Sequence, residues 1–193
     1  MTRLLIATTN RGKQAEFRRL LADLDADLVT PDDLGLDLQV EEPHETYEEN
    51  AAAKAEAYAR ASGIVSLADD SGIEIAALDW APGVRSARWG GGRNAERVLE
   101  ALGDGSDRRA RMVCAVAVAT PAEPAPMVEV FTGLVEGSVA NSMRGTGGFG
   151  YDPIFELPSG QTTAELPEAE KDRLSHRGRA VAAAVPRLQE LLA

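Results

Sequence analysis

Apolar and polar residues alternate along the first part of this chain in a pattern typical of strands and helices. Residues 3–8 form an apolar run of strand length, and apolar side chains then recur at helical spacing, at Phe17, Leu20, Leu21 and Leu24. A polar turn containing Asn10 and Gly12 separates the two segments. The pattern therefore predicts a strand, a loop and a helix in that order.

A second helix is predicted through the alanine-rich segment that follows. Thr46 and Glu49 have the spacing of a capping box, which satisfies backbone N–H groups of the first helical turn. Gly63 is a suitable stop, because glycine tolerates the left-handed conformation that commonly ends helices. The helix should reach about Ala61, whereas residues 32–40 are expected to be loop and extended chain.

Two further strands are predicted around an acidic segment. Residues 64–68 form an apolar run that leads into Asp69-Asp70-Ser71-Gly72, and residues 73–77 form the next run. Adjacent side chains within a strand point to opposite faces, whereas at the end of a strand both can turn toward one site. We therefore expect both aspartates at a strand end, with a solvated acidic turn as the alternative.

The middle of the chain is predicted to be a loop, a helix and a hairpin. Residues 78–93 show no period, and Asn94 is a candidate cap for a helix that Gly103 closes. Strands are expected at 112–119 and 127–135, and the proline-bounded loop between them suggests an antiparallel hairpin.

The C-terminal part is predicted to be helical over 167–174 and again from His176. Ser175 is the candidate N-cap of the last helix, and Pro186 is expected to kink it. Helices that alternate with strands, followed by a hairpin, indicate an α/β fold with a mixed β-sheet flanked by helices. A chain of 193 residues fits one domain spanning residues 1–193.

Composition and charge narrow the class of protein. The apolar fraction of 44% and charged fraction of 26% are typical of globular proteins, and no apolar run approaches the length of a membrane span. A net charge of −11 argues against nucleic-acid or anionic membrane partners. We expect no leader peptide, because residues 2–6 run straight into a polar turn. The single Cys114, in an apolar stretch, fits an inert thiol in a reducing cytoplasm.

Lysine is rare here: seventeen of the twenty basic residues are arginine, and the lysines are Lys13, Lys54 and Lys171. Each lies in a segment that also contains glycine, carboxylate or histidine residues. A compact ammonium suits a single phosphate oxygen or a tight pocket. Retention of these three lysines therefore suggests binding roles, with coding bias as the alternative.

Two segments suggest phosphate and metal chemistry. Thr8-Thr9-Asn10-Arg11-Gly12-Lys13 lies between a predicted strand and helix, where backbone amides and the helix dipole bind anions, although a plain polar turn is the alternative. Asp69 and Asp70, with Glu41, Glu42 and Glu49 upstream, supply carboxylates of the kind that bind Mg²⁺.

Two later segments suggest a pocket for a planar group. The glycine-rich segment 145–153 contains Phe149, which could stack on a base, because glycines allow close approach of a ligand to the backbone. A flexible linker is the alternative. Lys171, His176 and Arg177 gather cations near a helix start, although His176 by itself is more typical of a surface or capping residue.

Taken together, the segments resemble the inosine triphosphate pyrophosphatase family, often called Ham1-like. The resembling motifs occur in family order along nearly the whole chain and are Thr-x-Asn-x-Gly-Lys at 8–13, Glu-Asn-Ala-x-x-Lys at 49–54, Ala-Asp-Asp-Ser-Gly at 68–72, Ala-Pro-Gly-x-x-Ser-Ala-Arg at 81–88, Gly-Thr-Gly-Gly-Phe-Gly-Tyr-Asp-Pro at 145–153 and Ser-His-Arg-Gly at 175–178. Residues 43–45 and 89–92 depart from the usual family pattern.

The resemblance implies a fold of two lobes with a central nucleotide cleft, and hydrolysis of ITP, dITP and XTP to the monophosphate and pyrophosphate. It also implies Mg²⁺ as cofactor and a cytoplasmic homodimer. Metal ligation falls to Glu42 and Asp70, with Glu41 as an alternative to Glu42, and water activation falls to Asp70 assisted by Asp69. The implied substrate-binding residues are Thr8, Thr9, Asn10, Arg11, Gly12, Lys13, Lys54, Ser71, Phe149, Gly150, Tyr151, Asp152, Lys171, His176 and Arg177.

Two other classes of protein share some of these features. A nucleotide-binding module without hydrolysis could use the same glycine loops and cations, but it would not need Asp69 and Asp70 beside Glu42. A Maf-type pyrophosphatase acting on pyrimidine or modified nucleotides would share the architecture, although the segment 175–177 disfavours it.

Overall fold

The structure of the protein is a computed structural model that describes residues 2–104 and 107–193. Its strands are β1 (Arg3–Ile6), β2 (Asp27–Val29), β3 (Val65–Ile75), β4 (Arg109–Thr120), β5 (Met127–Val139) and β6 (Phe155–Glu156). Its α-helices are α1 (Arg11–Leu20), α2 (Tyr47–Ser62), α3 (Asn94–Leu102), α4 (Glu168–Leu174) and α5 (His176–Leu192).

The described strands form one six-stranded sheet in the order β2-β1-β3-β4-β5-β6. β1 pairs in parallel with both β2 and β3, with Leu5 opposite Val29 on one side and Ser66 on the other. β5 and β6 pair antiparallel. The sheet is therefore mixed, and the predicted α/β class is confirmed.

The chain forms two compact units, each with its own apolar core. Unit 1 comprises residues 1–70, 114–133 and 179–193, and its core includes Leu4, Phe17 and Leu188. Unit 2 comprises residues 71–113 and 134–178, and its core includes Ile73, Val98 and Phe155. The strands β3, β4 and β5 each contribute residues to both units. No helix in the described part of the chain is long and apolar enough to cross a membrane.

The termini of α2 follow the predicted capping signals. The Thr46 side chain accepts a hydrogen bond from the Glu49 backbone N–H, so that one of the free amides of the first turn is satisfied. Gly63 ends the helix with a φ of 67°, a conformation that glycine adopts without strain. Thr46 and Gly63 thus set the limits of α2.

The prediction that two strands are separated by an acidic segment at residues 69–72 is wrong. β3 runs without interruption from Val65 to Ile75, so Asp69 and Asp70 lie inside a strand and not at its end. Both side chains are buried, because each has partners in the fold that replace water, as described below. The expected two strands are one.

Smaller differences concern the regions that follow. Gly83–Arg88 forms a 3₁₀ helix inside the segment that was expected to be a loop. Asn94 is the first residue of α3 and not its cap; its Oδ1 accepts a hydrogen bond from the Gly90 N–H at 2.7 Å. The Ser175 hydroxyl accepts from the Gly178 N–H at 3.0 Å, as expected of an N-cap. The helix α5 continues through Pro186.

Candidate active site

The segment between β1 and α1 is held by its own side chains. Asn10 caps α1 by accepting a hydrogen bond from the Lys13 N–H at 3.1 Å, and its own N–H donates to Thr8 Oγ1 at 3.2 Å. Gln14 Nε2 donates to the Thr8 carbonyl at 2.8 Å. Arg11 is exposed at the first position of the helix, and Thr9 is exposed before the cap. The predicted turn thus becomes the N-terminus of a helix, whose amides and dipole favour anions.

Lys13 points at the first aspartate of β3. Its Nζ lies 3.0 Å from Asp69 Oδ2, and the Asp69 side chain is fully buried. The Cys114 thiol, on β4, lies 3.8 Å from the same oxygen. Cys114 is itself fully buried, as expected for an inert thiol. The ammonium of Lys13 offsets part of the solvation that the Asp69 carboxylate loses on burial.

Lys54, on α2, lies between two acidic segments. Its Nζ forms an ion pair with Glu42 and donates a hydrogen bond to the Asp69 carbonyl at 3.1 Å. Burial alone would lower the pKa of Lys54, but the charges of Asp69, Glu42 and Asp70 outweigh it and raise the pKa above its ordinary value. Glu42 is partly buried in this pair, whereas Glu41 is exposed.

Asp70 is buried on β3 and accepts a hydrogen bond from Asn50. Asn50 Nδ2 lies 3.1 Å from Asp70 Oδ2, and the same amide bonds the backbone of His44 through both its nitrogen and its oxygen. Burial raises the pKa of Asp70, the Asn50 hydrogen bond opposes this, and the nearby Glu42 charge adds to it. The net effect is a carboxylate that holds a proton more readily than a free aspartate does.

Glu42 and Asp70 are the carboxylates that the sequence prediction assigned to a divalent cation, and the charge of Glu42 acts on Asp70. Among residues 2–104 and 107–193 no group of three or more His, Cys, Asp or Glu side chains could hold a metal ion. Two oxygen ligands nevertheless suit Mg²⁺, which keeps several waters and is usually held by one or two carboxylates together with substrate phosphates. The donor set therefore fits a cation that arrives with an anionic substrate.

A cavity of about 180 Å³ opens beside these groups within unit 1. Its walls include Thr8, Thr9, Glu42, Lys54 and Tyr58. The Tyr58 hydroxyl donates to the Leu38 carbonyl at 3.2 Å, so it ties the segment before Glu42 to α2. The cavity is polar and carries the ammonium of Lys54, as a site for phosphate oxygens would.

In unit 2, the glycine-rich segment folds around the carboxylate of Asp152. Asp152 Oδ2 accepts from Lys171 Nζ at 2.6 Å and from the Phe149 N–H at 2.7 Å, and Oδ1 accepts from the Thr163 hydroxyl at 2.8 Å. Asp152, Lys171 and Thr163 are all buried. The segment is therefore an ordered loop and not a flexible linker.

Two cations flank the ring of Phe149. Lys171 Nζ lies 5.3 Å and the Arg177 guanidinium carbon 5.7 Å from the ring centroid, distances typical of cation–π contacts. Arg177 Nη2 also donates to Ser71 Oγ at 2.9 Å. His176 is buried at the first position of α5, so it is not a surface residue. Phe149, Lys171 and Arg177 therefore form one cluster of an aromatic ring and two cations.

Tyr151 anchors the same loop from inside the core. Its hydroxyl donates to the Ser86 carbonyl at 2.8 Å, and burial raises its pKa to about 12. Gly150, next to it, has a φ of 64°. The Tyr151 side chain therefore packs into unit 2 and holds the loop in place.

The predicted site residues thus form two groups. The group in unit 1 comprises Thr8, Thr9, Asn10, Arg11, Gly12, Lys13, Glu42, Lys54, Asp69 and Asp70. The group in unit 2 comprises Ser71, Phe149, Gly150, Tyr151, Asp152, Lys171, His176 and Arg177. Within each group, most members contact one another or a shared neighbour.

The sequence prediction missed three residues in these networks. Asn50 and Thr163 donate hydrogen bonds to Asp70 and Asp152, and Tyr58 donates to the Leu38 carbonyl in the wall of the cavity. Asn50 could have been found, because it lies four residues before Lys54 and so shares its helix face. No comparable signal marks Thr163, because it shares no helix or strand with its partner Asp152.

The sequence model of the Ham1 family matches residues 4–187. This chain belongs to the Ham1 family. A dITP/XTP pyrophosphatase from Symbiobacterium thermophilum is 44% identical, over 98% of this chain and 96% of that protein. The corresponding protein of Streptomyces coelicolor is also 44% identical, over the full length of both chains.

Among solved structures, the HAM1 protein of Coxiella burnetii superposes with a TM-score of 0.85 at 40% identity. The match covers 98% of this chain and 100% of that protein. The Ham1 protein of Staphylococcus aureus gives a TM-score of 0.81 at 38% identity, with 99% and 98% covered.

Proposed function

We propose that this Ham1 family member hydrolyses ITP, dITP and XTP to the nucleoside monophosphate and pyrophosphate, and so removes deaminated purines from the nucleotide pool. The observation that carries the proposal is the cluster around β3, where Asp69, Asp70 and Glu42 meet the ammonium groups of Lys13 and Lys54. Relatives named dITP/XTP pyrophosphatase, matched over almost the whole chain, support it. The two units would act as one domain.

The residues of unit 1 suit the phosphate end of such a substrate. Lys13, Lys54 and the amides at the start of α1 would bind phosphate oxygens and spread the charge that develops as the bond breaks. Asp70, with Asp69 assisting, would accept the proton of the attacking water, because a carboxylate held beside the phosphates is a suitable general base. Water would attack a phosphorus atom of the bond between the α and β phosphates. That bond would break, so that the products are the nucleoside monophosphate and pyrophosphate.

Mg²⁺ is the divalent cation that this donor set suits best. Glu42 and Asp70 would hold it, with waters and phosphate oxygens completing the ligands. When bound, such an ion neutralises phosphate charge and polarises the phosphorus–oxygen bond. Lys54 pairs with Glu42, so its ammonium lies beside a carboxylate that would hold the cation.

The residues of unit 2 suit the nucleoside end. Phe149 offers a ring face for a purine, and His176 and Arg177 offer donors beside it. Ser71 would contact the nucleotide from β3 together with Gly150, Tyr151, Asp152 and Lys171. A cytoplasmic location agrees with the single buried thiol of Cys114.

We also propose a homodimer, as the family resemblance implies. Trp80 is 44% exposed and is a candidate interface anchor. Sedimentation at micromolar concentration tests this proposal, because a monomer there would contradict it.

A panel of triphosphates tests the proposed activity. ITP, dITP, XTP, ATP, GTP and the pyrimidine triphosphates are incubated with Mg²⁺, and both products are identified. We expect pyrophosphate and monophosphate from the first three. The isosteric variant Asp70→Asn should abolish turnover and keep the melting temperature within a few degrees, because it removes the charge and retains the volume. Preferential hydrolysis of pyrimidine triphosphates, or full activity of Asp70→Asn, would overturn the proposal.

A further inference from the structure

The carboxylate of Asp152 is the centre of a buried hydrogen-bond network in unit 2. One of its oxygens is shared by Lys171 Nζ and the Phe149 N–H, so it fixes an ammonium and the loop backbone at the same time. Its exposed fraction is only 3%. In such a place the orientation of the carboxylate decides where both partners lie, because every donor is aimed at a particular oxygen.

The other oxygen of this carboxylate is held by Thr163. The Thr163 hydroxyl lies 2.8 Å from Oδ1 and 3.3 Å from the Asp152 carbonyl oxygen. Thr163 is the first residue of a 3₁₀ turn, Thr163–Glu165, and is itself buried. A short hydroxyl bond to a buried charge is worth more than an ordinary hydrogen bond, and its loss leaves the charge poorly solvated.

The same turn also supports the glycine-rich loop through its backbone. The Ala164 N–H donates to the Asp152 carbonyl at 3.2 Å, and the Ala164 carbonyl accepts from the Gly147 N–H at 3.0 Å. A Cβ on Gly148 would lie 2.0 Å from Asp152 Oδ2 and 2.7 Å from Lys171 Nζ, so the loop packs directly on the ion pair. The backbone of the loop therefore lies in close contact with both members of the ion pair.

We propose that Thr163 is a positioning residue for the nucleoside end of the site. By holding Asp152 Oδ1, it directs Oδ2 to Lys171 and Phe149, and so sets the position of the ring against which a purine would stack. The inference rests on the proposed function for its effect on catalysis, although the positioning itself is a property of the free protein. The same network positions Lys171, which pairs with Asp152 and lies over the ring of Phe149.

The test compares two substitutions that differ in a single group. Thr163→Val keeps the shape and removes the hydroxyl, whereas Thr163→Ser keeps the hydroxyl and removes a methyl group. Thr30→Val is the matched control, because the Thr30 hydroxyl also donates to an aspartate, Asp33, at 2.7 Å, but in unit 1. Thr163→Ala is a second variant in case the valine does not fold.

The first readout needs no substrate. Hydrogen exchange of the Phe149 amide in the free protein should be faster by about tenfold in Thr163→Val, the change expected from loss of one hydrogen bond, and close to wild type in Thr163→Ser and Thr30→Val. The second readout is steady-state hydrolysis of ITP. Thr163→Val should raise KM by about tenfold with little change in kcat, since it disturbs binding of the base and not the phosphate chemistry.

Each result bears on a separate claim. Unchanged exchange of Phe149 in Thr163→Val, or equal effects of valine and serine, would overturn the positioning role whatever the activity. A lowered kcat with unchanged KM would also overturn it. If the wild-type protein does not hydrolyse ITP, the proposed function fails, and the exchange experiment still decides the role of Thr163.

Discussion

Asn50 Nδ2 and Asp70 Oδ2 lie 3.1 Å apart, and this hydrogen bond joins α2 to β3 at the acidic cluster. The same side chain bonds the His44 N–H at 3.0 Å and the His44 carbonyl at 3.2 Å. His44 is two residues beyond Glu42, so one buried amide fixes Asp70 and the segment that carries Glu42. The two carboxylates proposed to hold Mg²⁺ therefore have the Asn50 side chain as a shared support.

We predict that Asn50→Ala weakens Mg²⁺ binding. Without the amide, Asp70 loses a donor and the segment around His44 loses two bonds, at a cost of about 1–3 kcal/mol for each buried group left unsatisfied. The Mg²⁺ concentration for half-maximal activity should rise by about tenfold. The rise in melting temperature on addition of Mg²⁺ should shrink in parallel, and this can be measured without any substrate.

Asn94→Ala is the control for this substitution. The Asn94 amide also bonds two backbone groups, the Gly90 N–H and the Ala87 carbonyl, but it does so in unit 2. The Asn94→Ala substitution should lower the melting temperature and leave the Mg²⁺ dependence of activity unchanged. Equal Mg²⁺ dependence in wild type and Asn50→Ala would refute the shared support.

The three lysines are predicted to resist replacement by arginine. Lys13, Lys54 and Lys171 each bind a carboxylate, and their side chains are 16%, 15% and 6% exposed. The planar guanidinium is larger and cannot occupy the space of an ammonium without displacing its partner. Each variant should lose about tenfold or more in kcat/KM, equivalent to about 1.4 kcal/mol.

Arg60→Lys is the matched control for the lysine variants, because Arg60 pairs with Glu56 on the surface of α2. It conserves charge at an exposed pair, where such contacts are worth little. Its kinetics should equal those of wild type. If all three arginine variants also behave like wild type, the lysines are remnants of coding bias.

Gly148→Ala should disorder the loop around Phe149. At a φ of 68° an alanine is strained, and its Cβ would also lie 2.0 Å from Asp152 Oδ2. Gly63→Ala separates these two effects, since Gly63 has a φ of 67° and nothing within 4 Å of the added atom. Gly63→Ala should cost about 1–2 kcal/mol of stability. Gly148→Ala should cost more and also raise KM for ITP; similar losses in both would contradict the close packing.

The sequence predicted local elements better than their partners. The capping residues Thr46 and Gly63 were found because capping depends on residues nearby in sequence. The course of β3 through Asp69 and Asp70 was missed, because an aspartate is unfavourable in a buried strand unless a distant cation offsets its charge. Lys13 provides that charge for Asp69, but the pairing depends on β1 and β3 being neighbours, which periodicity does not reveal. Thr163 was missed because it lies on a 3₁₀ turn, where no periodic pattern links it to Asp152.

Tyr151 provides a prediction about pH. Its pKa is raised to about 12 in the folded protein, whereas an exposed tyrosine ionises near 10. Between these values the unfolded chain loses its proton and the folded protein keeps it, so the contribution of Tyr151 to stability is complete below pH 10 and is lost as the pH rises toward 12. Tyr151→Phe lacks this titration. The difference in unfolding free energy between wild type and Tyr151→Phe should therefore narrow from pH 9.5 to about pH 11.5. A constant difference would exclude a raised pKa.

Selectivity among purines is the last prediction, and it follows from the donors near Phe149. Hypoxanthine and xanthine present an oxygen acceptor at C6, where adenine presents an amino donor. Arg177 is buried, and it and His176 can donate to that oxygen but leave adenine with donor facing donor. Sites built on hydrogen bonds reject such a mismatch strongly, because a buried polar group is left unpaired.

Guanine shares the oxygen at C6 with hypoxanthine and differs from it by an amino group at C2. Discrimination against guanine therefore needs a second hydrogen-bond donor, placed opposite that amino group. A backbone amide between Phe149 and Asp152 is the candidate, and the Phe149 N–H is already bonded to Asp152. We predict that kcat/KM for ITP and XTP exceeds that for ATP and GTP by about 10² or more. Arg177→Ala should erode the preference over ATP more than that over GTP, because only adenine is rejected at C6. The measurement is kcat/KM for all four triphosphates with both proteins, and equal hydrolysis of GTP and ITP by the wild type would rule out this arrangement of donors.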